Sequence, residues 1–402
     1  MNYGEGDELF EKMLTMGHVP ADSADDADIV VLNTCTVVDT TEKKMIERMS
    51  DLKKKGKDII VTGCMAKAQV PRIKVRLPDS VIVPPEKYDM FVSCVEERFG
   101  SSDPSAKNKT KATAILPIAQ GCVGDCTYCI TKKARGNLRS YDPDVLDRRF
   151  REMISNGVKE VLVTAQDTAC YGMDFGTDLP ALLRRFLRTK GEYRIRIGMM
   201  NPVALSRISD DLTDVFSDDR VYRFLHIPVQ SGSDRILKRM NRRYTAEEFL
   251  SLVEKIRARC PDISISTDII SGFPGETEED HEQSISLLRR LGADTVNVTR
   301  FSARPGTPAF SMDGQIHGGI SKERSREVTA TKSDEAFERN KKMIGKTYRT
   351  LVTEIGRPGT VIARTENYRP VALSEKLNLG EFADVEIIKA EPTHLFGRTL
   401  NK

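Results

Sequence analysis

The sequence predicts an α/β chain in three parts. These are an N-terminal α/β domain, a partial (β/α)6 barrel and a small C-terminal all-β barrel. Three observations carry this. Near the start, two β-branched runs each end at a cysteine and flank a helical pattern. Through the middle, apolar strand segments alternate with amphipathic helical segments, the pattern of right-handed crossovers and a parallel sheet. After about residue 340 the segments become short strands separated by turn residues.

The elements follow in order. "ADIVVLNTC" (27–35) reads as a buried strand, "TEKKMIERMSDLKKKG" (41–56) as a helix stopped by Gly56, and "DIIVTGCMAK" (58–67) as a second buried strand. This first domain spans 1–100. "GSSDPSAKNKTK" (100–111) has no periodicity and reads as a linker. Strands are expected at 113–119, 159–165, 192–200, 223–229, 263–270 and 294–301, with helices clearest at 142–155, 178–189, 245–259 and 276–291. They form a core over 112–338, and six units suggest an incomplete barrel rather than the closed eightfold one. Five strands over 340–402 suggest a barrel of a kind that binds oligonucleotides.

The 402 residues exceed what one hydrophobic core usually serves. With 39% hydrophobic and 30% charged residues, the composition is that of a folded soluble protein. No apolar run approaches the ~20 residues of a membrane span. The first thirty residues lack a basic region followed by an apolar one. A cytoplasmic protein without membrane partners is expected. A net charge of +3 does not define a nucleic-acid binder, although basic residues gather at 131–151 and beyond 341. Eight cysteines in a reducing compartment point to metal or redox chemistry rather than disulfides.

The chemistry centres on "AQGCVGDCTYCITKKARG" (119–136), where Cys122, Cys126 and Cys129 follow the first barrel strand at its C-terminal end. Sites of such barrels gather at that face. Three thiolates can ligate three corners of a cubane cluster and leave the fourth open. Zinc is the alternative, but structural zinc takes four ligands, and no second knuckle or nearby histidine is present. Other strand ends present Gln166 and Asp167, Arg196, Gln230 and Ser231, Asp268, and Arg304. Together they suggest one pocket; singly, each is as readily a turn or satisfied polar residue. "GFPGE" is too short for a phosphate-cradling loop. His226 faces the pocket or packs in the core. Cys94, Cys170 and Cys260 read as structural.

C-x3-C-x2-C with Tyr128 before the last cysteine resembles the motif of radical S-adenosylmethionine (SAM) enzymes. The resemblance implies that the open iron takes the amino and carboxylate groups of SAM. Electron transfer to the sulfonium then yields a 5′-deoxyadenosyl radical. Arg196, at the end of its strand, is expected to partner the methionine carboxylate. "NTCTVVDTTEKKM", "VTGCMAK", "FLHIPVQSGSDRIL", "DIISGFPGET" and "RPGTPA" extend the likeness to the whole chain. The chain resembles the tRNA methylthiotransferases of the archaeal and eukaryotic branch, whose C-terminal barrel is of the TRAM type. Members add a methylthio group at C2 of N6-threonylcarbamoyladenosine beside the anticodon.

The resemblance implies two [4Fe–4S] clusters, SAM, a tRNA anticodon stem-loop as substrate and an electron donor protein. Cys35 and Cys64 match two of three ligands of the auxiliary cluster. The third would fall two positions before Met1, so an upstream start and a missing sheet edge are expected. RNA contacts are expected from Arg357, Arg364, Arg369 and Tyr368, from Arg135 and Arg139, and from Lys43, Lys44 and Lys53–Lys55. Two rivals remain: a radical SAM enzyme on another substrate, and an RNA-binding relic that has lost methylthiolation.

Overall fold

In a computed structural model, residues 2–36, 39–100 and 111–400 are described. The expected linker at 100–111 lies, but for its two end residues, outside them. The chain divides into two compact units. The first comprises Met1–Lys109, Gln120–Arg139 and Arg304–Thr307, and the second Thr110–Ala119, Ser140–Ala303 and Pro308–Lys402.

The first unit is built on a parallel sheet of Ile29–Thr34, Asp58–Gly63 and Val81–Ile82, in that order. Side chains of a strand alternate between faces. Ile59 and Val61 therefore pack with Met49, Leu52 and Ile73, while Ile60 packs with Leu9, Phe91 and Val95. Helix Asp39–Lys54 serves the first face; helices Asn2–Thr15 and Phe91–Phe99 serve the second.

The second strand is shorter than its sequence predicts. It stops at Gly63, which has φ +81°, and a Cβ there would lie 2.2 Å from the Thr34 carbonyl oxygen. The chain turns at this point, and Cys64 stands at the head of the short helix Met65–Ala68.

The second unit begins with six parallel strands. Thr113–Pro117, Glu160–Thr164 and Arg194–Ile197 form one run, and Phe224–His226, Ser264–Ser271 and Thr295–Arg300 the other. A parallel bridge between Ile195 and Val221 joins the runs into the expected partial barrel. Helices Pro143–Ser155, Leu179–Phe186, Ala246–Arg259 and Glu278–Leu291 stand where periodicity places them.

Helices Pro202–Val215 and Gly318–Lys341 were not among the clear patterns. The latter buries Ser321, Arg324, Val328, Ala336 and Asn340. Small and polar residues on the inner face leave no apolar stripe to read.

The C-terminal strands close into a five-stranded barrel, in the order Thr347–Ile355, Val361–Arg364, Pro370–Leu373, Leu395–Thr399, Phe382–Ala390. Val352, Val371, Leu373, Val385 and Leu395 fill it.

Within this unit the small barrel is locked to the larger one. Asp294, 4% exposed, receives Arg339 Nε at 2.5 Å, the Arg369 guanidinium and, at 2.6 Å, the Ile265 backbone N–H. Arg223 Nη2 donates to Glu366 at 2.6 Å. Tyr368, at φ +65°, sets its ring 4.8 Å from Tyr222 and 5.1 Å from Phe224.

The expectation that Arg364, Arg369 and Tyr368 face RNA is therefore corrected. Arg369 is buried on Asp294, and the Arg364 guanidinium lies 4.8 Å from the Tyr368 ring and bonds to Glu354. Of these four residues only Arg357 is exposed. No helix among the described residues is long and apolar enough to cross a membrane.

Removing one partner of a buried charge group costs about 3–5 kcal/mol. Asp294→Ala is expected to destabilise the second unit by about that amount, read by urea denaturation. A change under about 1 kcal/mol would mean that the lock lies elsewhere.

Candidate functional site

The three closely spaced cysteines lie in the first unit, on a loop pinched at its neck. Gly121 has φ +80°, and a Cβ on it would lie 1.9 Å from the Asn137 carbonyl oxygen, so only glycine fits. Cys122 N donates to Gly136 O at 3.2 Å across the neck.

Inside the loop, backbone donors point at sulfur. Gly124 N donates to Cys122 Sγ at 3.3 Å and Thr131 N to Cys129 Sγ at 3.4 Å. A Cβ on Gly124 would sit 3.4 Å from Cys122 Sγ and 3.9 Å from Cys126 Sγ, so the chain folds closely around both. Such donors favour thiolates over thiols.

Elsewhere among the described residues, Glu278, His281 and Glu327 bring one ligand atom each within 4.8 Å of one another. A cubane cluster takes each thiolate on a separate iron, so three cysteines leave one iron for another ligand.

Cys35 and Cys64 follow Thr34 and Gly63, which are register partners on neighbouring parallel strands. Both cysteines thus leave the sheet at the same edge, and Cys64 N donates to Thr34 O at 2.9 Å. Burial pushes the Cys64 thiol up; the Arg135 guanidinium acts against this, and Cys35 adds to it.

Arg135 is therefore not an RNA contact. It is buried, with Nε donating to Cys64 Sγ at 3.3 Å and Nη1 to Glu5 Oε1 at 2.5 Å. Arg139 is exposed.

Beside Cys35, a second buried network forms around Glu42. Its Oε2 accepts from Thr36 Oγ1 at 2.7 Å, Gln69 Nε2 at 2.9 Å and Arg304 Nη1 at 2.9 Å, and Arg72 joins at Oε1. Arg304 thus sits in the first unit as a partner of Glu42.

The other expected residues lie in the second unit: Gln166, Asp167, Gln230 and Ser231 follow their strands, and Asp268 lies within the strand Ser264–Ser271. Arg196 departs from the expectation, since it packs on Phe224 and Tyr368 in a cavity lined by Ser264, Asp294 and Thr295 at the starts of strands, not at their C-terminal ends. Asp167 is 5% exposed and accepts from Ala169 N, Asn201 N and Cys170 Sγ, each at 3.1 Å; burial pushes its carboxyl up. Ser231 is buried against Ser284 and accepts from Ser233 N at 3.2 Å.

Gln230 holds φ +74° and bridges to the neighbouring strand. Its N donates to Asp268 O at 2.8 Å, and its O accepts from Ile270 N at 2.9 Å. A left-handed residue with a side chain is strained, and such residues gather at ligand sites. Asp268 Oδ1 meets His226 Nε2 at 2.9 Å and Asn297 Nδ2 at 2.8 Å, a polar triad inside the barrel. Gln166 follows the strand Glu160–Thr164 and is half-buried.

The Arg196 guanidinium lies 5.0 Å from the Phe224 ring and 5.5 Å from the Tyr368 ring. It lines a cavity of about 380 Å³ with His226, Ser266, Asn297 and Lys332. Cys170 and Cys260 are buried, and Cys94 is partly buried in the first unit's core. Asn297 escapes a sequence reading because it carries no motif, and the packing of the Tyr368 ring on Arg196 depends on a distant partner.

A partial parallel barrel with a three-cysteine loop defines the radical SAM class. The Radical SAM superfamily model matches residues 116–288, the model described as "Uncharacterized protein family UPF0004" matches 1–83, and the TRAM domain model matches 341–400. The fold is similar to that of the radical S-adenosylmethionine methyltransferase TsrM from Kitasatospora setae. That likeness has a TM-score of 0.54 at 12% identity and covers 77% of this chain and 68% of that one.

The chain is 41% identical over 398 residues to the "Probable threonylcarbamoyladenosine tRNA methylthiotransferase" of Archaeoglobus fulgidus, covering 95% of this chain and 92% of the relative. It is 32% identical to the threonylcarbamoyladenosine tRNA methylthiotransferase of Danio rerio, covering 100% of this chain and 77% of the relative. The chain belongs to the threonylcarbamoyladenosine tRNA methylthiotransferase family, whose cofactors include an iron–sulfur cluster and SAM.

Gly121→Ala forces a Cβ into the Asn137 carbonyl. If the loop holds iron, the variant is expected to lose it while far-UV circular dichroism stays unchanged. Undiminished iron after anaerobic reconstitution would show that the neck is not required.

Proposed function

We propose that the chain is a tRNA methylthiotransferase that converts N6-threonylcarbamoyladenosine, next to the anticodon, into its 2-methylthio derivative. One observation carries the reading beyond the class. Two sets of cysteines, Cys122/Cys126/Cys129 and Cys35/Cys64, lie in one compact unit of a chain whose relatives bear that name. In this reading residues 1–100 carry an auxiliary cluster, 112–338 the SAM-dependent core and 340–402 the RNA-binding barrel.

Cys122, Cys126 and Cys129 hold the first [4Fe–4S] cluster, and Cys35 and Cys64 are ligands of the second. When bound, the clusters and SAM would supply one-electron chemistry, and SAM the methyl of the methylthio group. The protein's share is to bind, orient and exclude water. Gln230, just beyond its strand, and Asp268, within the neighbouring strand, are the residues that meet SAM in this reading. Asp167, whose carboxylate is engaged by three donors, shapes the loop after its strand.

Exposed Lys43, Lys44, Lys53 and Lys54, together with Arg139 and Arg357, offer charge to an RNA backbone. An anticodon loop already presents splayed bases, which lowers the cost of reaching C2. An electron donor protein completes the system.

Incubation of the reconstituted chain with SAM, a low-potential reductant and threonylcarbamoylated tRNA is expected to yield 2-methylthio nucleoside by mass spectrometry. SAM cleavage without that product would sink the assignment. Gln230→Gly relieves the left-handed strain and removes the side chain. It is expected to weaken SAM binding about tenfold by calorimetry without lowering the melting temperature. Unchanged affinity would remove Gln230 from the cofactor site.

A further inference from the structure

Arg135 ends the short helix Thr131–Arg135, which begins two residues after Cys129. Its side chain is 1% exposed, and that of its partner Glu5 is 4% exposed. Nε donates to Cys64 Sγ at 3.3 Å, and Nη1 donates to Glu5 Oε1 at 2.5 Å. Tyr88 closes the group, since its hydroxyl accepts from Gly63 N, next to Cys64, at 3.2 Å. A segment that supplies three sulfur donors of one set thus supplies a cationic N–H donor to a sulfur of the other. A guanidinium presents its donors in a rigid fork and keeps its charge when buried. A lysine or an amide at this position could not meet both Cys64 and Glu5 in the same way.

We propose that Arg135 is a positioning residue for the second cluster. Its Nε–H holds the Cys64 sulfur, its charge favours the cluster's reduced form, and Glu5 moderates that charge. The proposal rests on Cys64 being a cluster ligand, as read above. Hydrogen bonds to ligating sulfur and nearby charge are what set iron–sulfur potentials, and partners behind the ligands orient them. In consequence, the loop carrying one cluster also tunes the other, so a change in the position of Arg135 is felt at both.

The test uses the full chain with Cys122→Ala, Cys126→Ala and Cys129→Ala combined, which leaves the second cluster alone. After anaerobic reconstitution, iron and sulfide are counted and the cluster is titrated redox-wise by EPR. In this background Arg135→Met is expected to weaken the one-electron reduction equilibrium about tenfold, a downward shift of about 59 mV. Arg135→Lys should shift it less, and Glu5→Gln should shift it upward.

Both Arg135→Met and Glu5→Gln remove a buried partner, so a packing role would not give opposite signs. Unchanged potentials, or shifts of one sign for both, overturn the proposal. If Arg135→Met gives no folded protein, the sign for Glu5→Gln decides. If the background with Arg135 intact binds no iron, this chain holds no second cluster and the proposal falls with that reading. Iron retained with flat potentials defeats the proposal alone.

Discussion

Three thiolates on one short loop can face a common centre only if the chain turns back sharply at the neck. Gly121 meets this constraint by giving up a Cβ that would overlap the Asn137 carbonyl. With the neck closed, backbone N–H groups at Gly124 and Thr131 point at sulfur, and the chain leaves through the helix that ends at Arg135. In the proposed function, this loop holds a cluster and leaves one iron for a ligand from outside the protein.

The first unit extends this arrangement with sheet register. Parallel strands in register deliver successive residues to the same edge, and here those residues are Cys35 and Cys64. Behind them, charge is buried only in pairs: Arg135 with Glu5, and Arg304 with Glu42. Such pairs add little net stability, yet they fix geometry, because leaving either member alone is costly. The second unit uses the same device at Asp294, which holds Arg339 and Arg369. Arginines that look RNA-facing in the sequence therefore serve inside the fold.

Local signals made much of this legible. The spacing of Cys122, Cys126 and Cys129, the strands ending near Cys35 and Cys64, and the six strand–helix units are each written within a few residues. What stayed hidden depends on distant partners. Arg135 and Cys64 are 71 positions apart, and Arg304 and Glu42 are 262 apart, so a basic residue reads as surface charge until its partner is located. The helix Gly318–Lys341 buries polar and small residues, which erases the periodicity that would reveal it. Ser231 lies in a pocket-like motif, but its hydroxyl serves a turn and Ser284. Gln230 is the reverse case: its residue type gives no hint of the left-handed backbone that marks it.

Mössbauer spectra of ⁵⁷Fe-reconstituted protein carrying Cys35→Ala and Cys64→Ala, recorded with and without SAM, probe the vacant iron most directly. One of four iron sites is predicted to change its isomer shift when the sulfonium compound is added, while the other three hold theirs. Four sites that ignore the addition, or a loop that purifies with zinc in place of iron, would contradict a three-thiolate centre with one corner left for the cofactor.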